Sequence, residues 1–156
     1  MVAEGTSDES QPADASLDAL TEAVTNALQE AGYRAKSPRP GRIATASSGM
    51  NFTLSFDDAT SCQFRCGVIM NMPLEAVPNW LERANRFNRD YRFGKVFLDS
   101  DNDLVMTVDL NFSGSGTDLT MGLDQAMTLF DGCLGLFKTL LQSDEPNSEH
   151  GTSGSK

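Results

Sequence analysis

Histidine is nearly absent from this sequence. The single one, His150, stands in a polar stretch near the C-terminus. Ser-His-Asp and Cys-His catalysis needs a base held within hydrogen-bond reach of its nucleophile, and imidazole is the ready base near neutral pH. That chemistry has no positioned partner here. Cysteine is scarce as well. Cys62, Cys66 and Cys133 make no Cys-x-x-Cys pair, and without nearby histidine a zinc site lacks ligands. On one extended strand Cys62 and Cys66 stand about 13 Å apart at ~3.3 Å per residue, beyond the ~7 Å between Cα atoms that a disulfide spans. All three read as small buried apolar side chains.

Long hydrophobic runs are missing too. Val68-Ile69-Met70 and Leu104-Val105-Met106 are short, far below the ~20 residues of a membrane helix. The N-terminal residues have neither the basic start nor the apolar stretch of a secretion signal. A soluble cytoplasmic protein without a membrane role is expected. Positive charge is in short supply: 12 Lys and Arg stand against 22 Asp and Glu, a net charge of −10. Such a chain repels phosphate backbones, so nucleic acid is not an expected partner.

What is present suits one domain of ordinary size, since the chain has 156 residues. Its ends differ from its middle. Glu4, Asp8, Glu9 and Asp14 crowd one end without a base, and Asp144, Glu145 and Glu149 face only Lys156 at the other. Both ends are rich in Ser, Gly, Thr and Pro, too polar to offset their ordering entropy by burial. Residues 1–14 and 144–156 are expected to be disordered acidic tails around a domain spanning 15–143.

Hydrophobic spacing organises that domain. Leu17, Leu20, Val24, Ala27, Leu28 and Ala31 form one helical stripe. Asp14 or Ser16 can cap the start of that helix, and Gly32 can end it. A strand or loop follows from Tyr33, broken at Ser37-Pro38-Arg39-Pro40-Gly41, and Arg42–Ser47 reads as a short edge strand. After the turn at Ser48-Gly49, Met50, Phe52, Leu54 and Phe56 alternate with polar residues. So do Cys62, Phe64, Cys66, Val68 and Met70. Period two of this length means antiparallel strands with one buried face. A second helix is expected from Pro73 or Leu74 to Arg89, with Val77, Trp80, Leu81, Ala84 and Phe87 inward. Strands at Phe93–Leu98 and Leu104–Phe112 come next. A long helix from Asp118 to Gln142 carries Leu119, Leu123, Met127, Phe130, Leu134, Phe137 and Leu141 on one face. The order α-β-β-β-α-β-β-α describes an α+β domain with an antiparallel sheet packed against helices.

The remaining polar patterns read mostly as structure. Asp99, Asp101 and Asp103 imitate the start of a calcium loop, but Leu104 and Leu110 stand where that loop needs a glycine and a glutamate. The segment reads as a polar hairpin turn. Gly114 and Gly116 precede a helix without the Gly-Lys-Ser/Thr of a phosphate loop, and read as a flexible turn. Arg83, Arg86, Arg89, Arg92 and Lys95 recur every three residues, a salt-bridged face or a protein contact. Asn85 and Asn88 share a helix face, and asparagine at a helix-to-strand junction readily bonds backbone.

Asn85-Arg86-Phe87-Asn88, with Tyr91-Arg92-Phe93-Gly94-Lys95-Val96-Phe97-Leu98-Asp99 after it, resembles the central signature of the YbjN-like family of bacterial sensory transduction regulators. The Asp101–Asp103 hairpin, the alternating Leu104–Phe112 and the final amphipathic helix fit the same pattern, over roughly residues 16–142. The family is similar in fold to type III secretion chaperones, small dimeric α+β proteins that hold other polypeptides. The resemblance implies a non-enzymatic regulator or chaperone-like adaptor and brings no catalytic residues. The outer sheet face, with Asn51, Thr53, Ser55, Gln63, Arg65, Thr107, Asp109 and Asn111, is mostly polar for a literal secretion chaperone.

The expectation is therefore a non-enzymatic protein that binds another protein, as a homodimer, with no metal and no cofactor. The alternative is a small-molecule sensor with a pocket between helix and sheet. In Phe93–Asp99, Val96 and Leu98 point one way and Phe93 and Phe97 the other, so the second set needs cover. Trp80, Arg83, Asn85, Arg86, Asn88, Phe93 and Phe97 are the candidate interaction or dimer surface.

Overall fold

A computed structural model describes residues 12–142. Of the tails expected at 1–14 and 144–156, residues 1–11 and the whole C-terminal stretch with His150 lie outside these residues. The first helix, α1 (Pro12–Glu30), opens on Pro12, so residues 12–14 join it and Asp14 and Ser16 lie inside it rather than capping it. Its end is the expected one. Gly32 takes φ +90°, Gly32 N–H donates to the Gln29 carbonyl at 3.0 Å, and Tyr33 N–H donates to that of Leu28 at 2.9 Å. This paired bond closes a helix where only glycine fits without strain.

The segment after Tyr33 makes a strand, β1 (Lys36–Arg39), despite Pro38. Proline is tolerated there because β1 lies at the sheet edge and needs no outward ladder bond. Arg42–Ser47, expected at the edge, is instead the second strand, β2. Ser48 and Gly49, at φ +52° and +76°, turn it into β3 (Met50–Ser55) with Ser47 opposite Met50. Two left-handed residues in a two-residue loop match the twist of a hairpin. Next come β4 (Ser61–Ile69), α2 (Val77–Asp90), β5 (Gly94–Leu98), β6 (Leu104–Asn111) and α3 (Leu119–Gln142). The fold is α+β with the expected order and one strand more. Its six antiparallel strands lie in the order β1-β2-β3-β4-β6-β5.

The second helix begins later than its sequence suggests. Pro73 and Leu74 open a separate turn, closed by Ala76 N–H on the Pro73 carbonyl at 2.9 Å. Pro78 then sits in the first turn of α2, where its missing N–H costs nothing.

The three helices of the described residues pack on one sheet face. α1 meets β1, β2 and α3; α2 meets β5 and α3; α3 crosses β4 and β6. Between the layers, the Phe130 ring stacks on Phe64 with centroids 5.1 Å apart and lies 4.5 Å from Phe52. Phe137 meets the edge of Phe87 at 5.4 Å, which joins α2 to α3. The inward residues of the sheet, among them Ile43, Leu54, Phe64, Val96 and Met106, are buried as their alternation requires. Outside the core, the Ser47 hydroxyl donates to Asp131 at 2.9 Å and Lys138 donates to the Ser48 carbonyl at 2.8 Å, so α3 also holds the β2–β3 turn.

Phe130→Ala removes the ring that α3 sets between two strands. Unfolding in urea should show a loss of about 3–5 kcal/mol, the usual cost of a buried Phe cavity. A loss under about 1 kcal/mol would mean that α3 is held elsewhere.

Candidate functional site

The sheet face away from the helices carries no described element. On most strands it is polar, and its polar groups pair with one another. Gln63 donates to Asp109 at 2.7 Å, and Arg65 bonds Asp99 at 2.8 Å. The end formed by β4, β6 and β5 is different. Phe97 stands opposite Val105 and is 37% exposed. The Arg65 guanidinium lies 5.8 Å from the Phe97 ring centroid, a cation over an aromatic face. Met70 joins them by a local irregularity. The β4–β6 register slips between Gly67 and Ile69, which breaks the period-two pattern. Met70, expected on the core face, is therefore 59% exposed, and its sulfur lies over the bare Gly67. Phe97 and Met70 are the exposed apolar side chains of a strip whose third member, Val105, is itself buried at 2% exposure, with Arg65 beside them. A shallow concavity of about 490 Å³ runs from this strip past Thr53 and Asn51 to Ala44, Arg34 and Lys36.

The expected surface residues do not all meet there. Phe93 precedes β5 and turns to the helix side, beside Tyr91 and α3, so it parts from Phe97. Trp80 packs partly into the core with the Arg83 guanidinium 4.5 Å from its ring centroid. Arg86 is half-buried on α2, and Arg89 binds its neighbour Asp90 at 2.8 Å. Lys95 is exposed on β5 and Arg92 borders the groove by α3, so the basic periodicity wraps around the edge instead of forming one patch. α2 packs on the helix side, so the cover that Phe97 needs does not come from it.

Asn88 has a defined structural task. Its side-chain amide donates to the Val96 carbonyl at 2.8 Å, and its carbonyl accepts the Val96 N–H at 2.8 Å. Val96 lies on β5, the free edge of the sheet. Asn88 thus replaces a missing seventh strand at mid-edge, and an exposed ladder is otherwise a template for unwanted pairing. Asn85, one turn earlier, is exposed and takes no part in this pair.

The acidic hairpin closes on itself. Asp99 accepts the N–H groups of Asp101 and Asp103 at 3.1 and 3.0 Å, and Asp103 accepts the Asn71 N–H at 2.6 Å. These carboxylates are turn formers, as their spacing suggested. Asp118 accepts the Met121 N–H at 3.1 Å and caps α3 after the Gly114–Gly116 turn. Cys62, Cys66 and Cys133 are free and buried. Burial and the nearby Asp109 push the Cys62 thiol up to about 12, and burial raises the other two as well. A thiol held neutral is a poor nucleophile.

A second concavity lies between α3 and the α2–β5 junction. Phe93, Leu129, Cys133 and Leu136 line it. Neither Leu136 nor Leu129 belongs to the apolar stripe read from the sequence of the last helix. That mismatch was the signal for an exposed patch. Met70 had only Gly67, a glycine inside a strand pattern, to announce the register slip.

A single-layer antiparallel sheet backed by helices on one side, with its other face open among the described residues, defines the class: a one-layer α+β domain. Residues 20–131 match a family described as "Putative bacterial sensory transduction regulator", and the chain belongs to that family, YbjN. No curated protein sequence matches the chain. Among solved structures, the crystal structure of YbjN from E. coli, "a putative transcription regulator", is similar, with a TM-score of 0.58. The two chains are 16% identical, and the likeness covers 82% of this chain and 90% of that one. It establishes the shared fold. Among the described residues, no helix is long and apolar enough to cross a membrane.

Two measurements check these roles. Asn88→Ala leaves both Val96 backbone groups without their partner and should lower stability by about 1–3 kcal/mol in urea unfolding, while Asn85→Ala should change it by less than about 0.5 kcal/mol. Equal effects would remove the edge-pairing role. A soluble thiol reagent at pH 8 should leave Cys62 unmodified in the folded protein and react after unfolding. Rapid native labelling of Cys62 would contradict its burial.

Proposed function

We propose that this protein is a non-enzymatic bacterial regulator that acts by binding another polypeptide on the open sheet face, and that in the cytoplasm it does so as a homodimer. The observation that supports this reading is the pair of exposed apolar side chains, Phe97 and Met70, around the buried Val105. Contiguous apolar side chains on an otherwise polar face mark interaction surfaces. A two-fold arrangement using this strip on both copies is the commonest solution for soluble proteins. A partner segment with alternating apolar residues takes the rest of the open face, along the concavity past Thr53 and Asn51, which is the chaperone-like part of the reading. The net charge of −10 favours a protein over a nucleic acid as partner. Catalysis has no part in it: the buried thiols are held neutral, and Asp99 and Asp103 are engaged in their hairpin.

A second reading, a small-molecule sensor, is supported by one separate observation, the apolar concavity between α3 and the α2–β5 junction. It is compatible with the first, because the two surfaces lie on opposite sides of the sheet.

Light scattering at micromolar concentration should find a dimer. Each buried Phe97 contributes roughly 1.5–3 kcal/mol, so Phe97→Glu should shift the protein to monomer. Asn26→Glu, on the exposed side of α1, should leave the dimer intact. A monomeric wild type would sink the dimer, and a dimer indifferent to Phe97→Glu would sink this surface.

A further inference from the structure

The groove beside α3 is built differently from the open sheet face. Its floor is apolar: Leu129 and Cys133 on α3, with Tyr91 at the end of α2. Phe93 stands over one side and is 64% exposed, and Leu136 on the other is 43% exposed. Both are large apolar side chains at the rim of one cavity of about 490 Å³. That volume lies within the range of roughly 300–1,000 Å³ typical of small-molecule sites.

Gly132 keeps the groove open. Glycine inside a helix costs about 1 kcal/mol relative to alanine. A Cβ at Gly132 would touch nothing within 4 Å, so the chain's own packing does not require glycine there. What a side chain at 132 would occupy is the groove itself.

One charge faces this apolar space. Arg92 borders the groove, and among the described residues its guanidinium has no hydrogen bond or ion pair, in contrast to Arg89 on Asp90 and Arg65 on Asp99. The other polar residues at the rim, Gln125 and Thr128, are neutral. An apolar trough with a single cation at its edge is complementary to a molecule with an apolar body and one negative end. Guanidinium pairs with a carboxylate through two parallel hydrogen bonds, which fixes orientation as well as charge. Size separates a small ligand from a protein. Nine residues line the groove, whereas a stable protein interface engages about 20–30 on each side.

We propose that the groove between α3 and the α2–β5 junction binds a small amphipathic carboxylate, with its aliphatic or aromatic body laid over Gly132 between Phe93 and Leu136 and its carboxylate on Arg92. This rests on the sensor reading and names its ligand class. It also gives the family signature a chemical content, because Tyr91, Arg92 and Phe93 supply one wall and the charge.

Isothermal titration calorimetry with decanoate, decanol and decylammonium, each below its aggregation concentration, tests the proposal on the full chain. Decanoate should bind with one-to-one stoichiometry and at least about tenfold more tightly than decanol, the value of one charge-assisted hydrogen bond. Decylammonium should not bind measurably. Arg92→Gln should abolish the preference for decanoate over decanol. Gly132→Leu should block all binding while keeping the circular dichroism spectrum and thermal midpoint at or above those of the wild type. Equal binding of decanoate and decanol, or unchanged binding in Arg92→Gln, would overturn the carboxylate and leave a neutral apolar ligand. Absence of binding by all three, or binding unaffected by Gly132→Leu, would overturn the sensor reading as well.

Discussion

The Phe130 ring, set 5.1 Å from Phe64 and 4.5 Å from Phe52, fixes how the two layers of this protein meet. It brings the longest helix across the central strands, and close-packed interiors allow few alternative placements. From there Phe137 reaches the edge of Phe87 and positions α2. α2 in turn delivers Asn88 to the free edge of β5. Cys133 lies one turn beyond Phe130, beside Gly94, where an added Cβ would press on Phe87 at 3.3 Å. The bare backbone at Gly94 therefore lets β5 lie close against α2, with the groove beside that junction.

This one-sided construction has a cost and a use. The helices of the described residues cover one face, so the other is left to polar pairs and the exposed Phe97 and Met70 around the buried Val105. Half-solvated antiparallel sheets are stable in this form, but a strip of apolar residues among them gains by being covered. The edges are managed in two ways. β1 carries Pro38, which cannot donate to an added strand, and β5 has its central residue paired by Asn88. With both edges obstructed, association through the sheet face is physically easier than association through strand addition. The YbjN signature thus combines three tasks in a short stretch: Phe87 for the core, Asn88 for the edge, and Arg92 with Phe93 for the groove.

Much of this was legible in the chain. The helical stripe of α3, the alternation of β3, the Gly32 terminator and the Ser48-Gly49 turn follow from local spacing and backbone preference, and each appears as read, while β4 departs at Met70 and β6 buries Val105 and Thr107 on the face read as outward. The neutral cysteines and the self-closed acidic hairpin also followed from residue type. The misreadings at proline share a cause. Pro38 reads as a break and Pro73 as a helix start, yet Pro38 is harmless at a sheet edge and it is Pro78 that occupies the first turn of α2. Whether a proline breaks an element depends on which N–H the fold needs.

Periodicity and composition by themselves determined the fold class, the element order and the inward face of most elements, because burying an apolar face requires period two in strands and period 3.6 in helices. The family signature could be read for the same reason, being a fixed local string. Tertiary structure alone decided where outward-facing side chains meet. Phe93 and Phe97, four residues apart, serve opposite sides of the sheet because the strand begins between them at Gly94. Met70 crosses to the outer face because one ladder slips at Gly67. Such placements depend on register and on contacts between distant segments, for which neighbouring residues in the chain carry no signal.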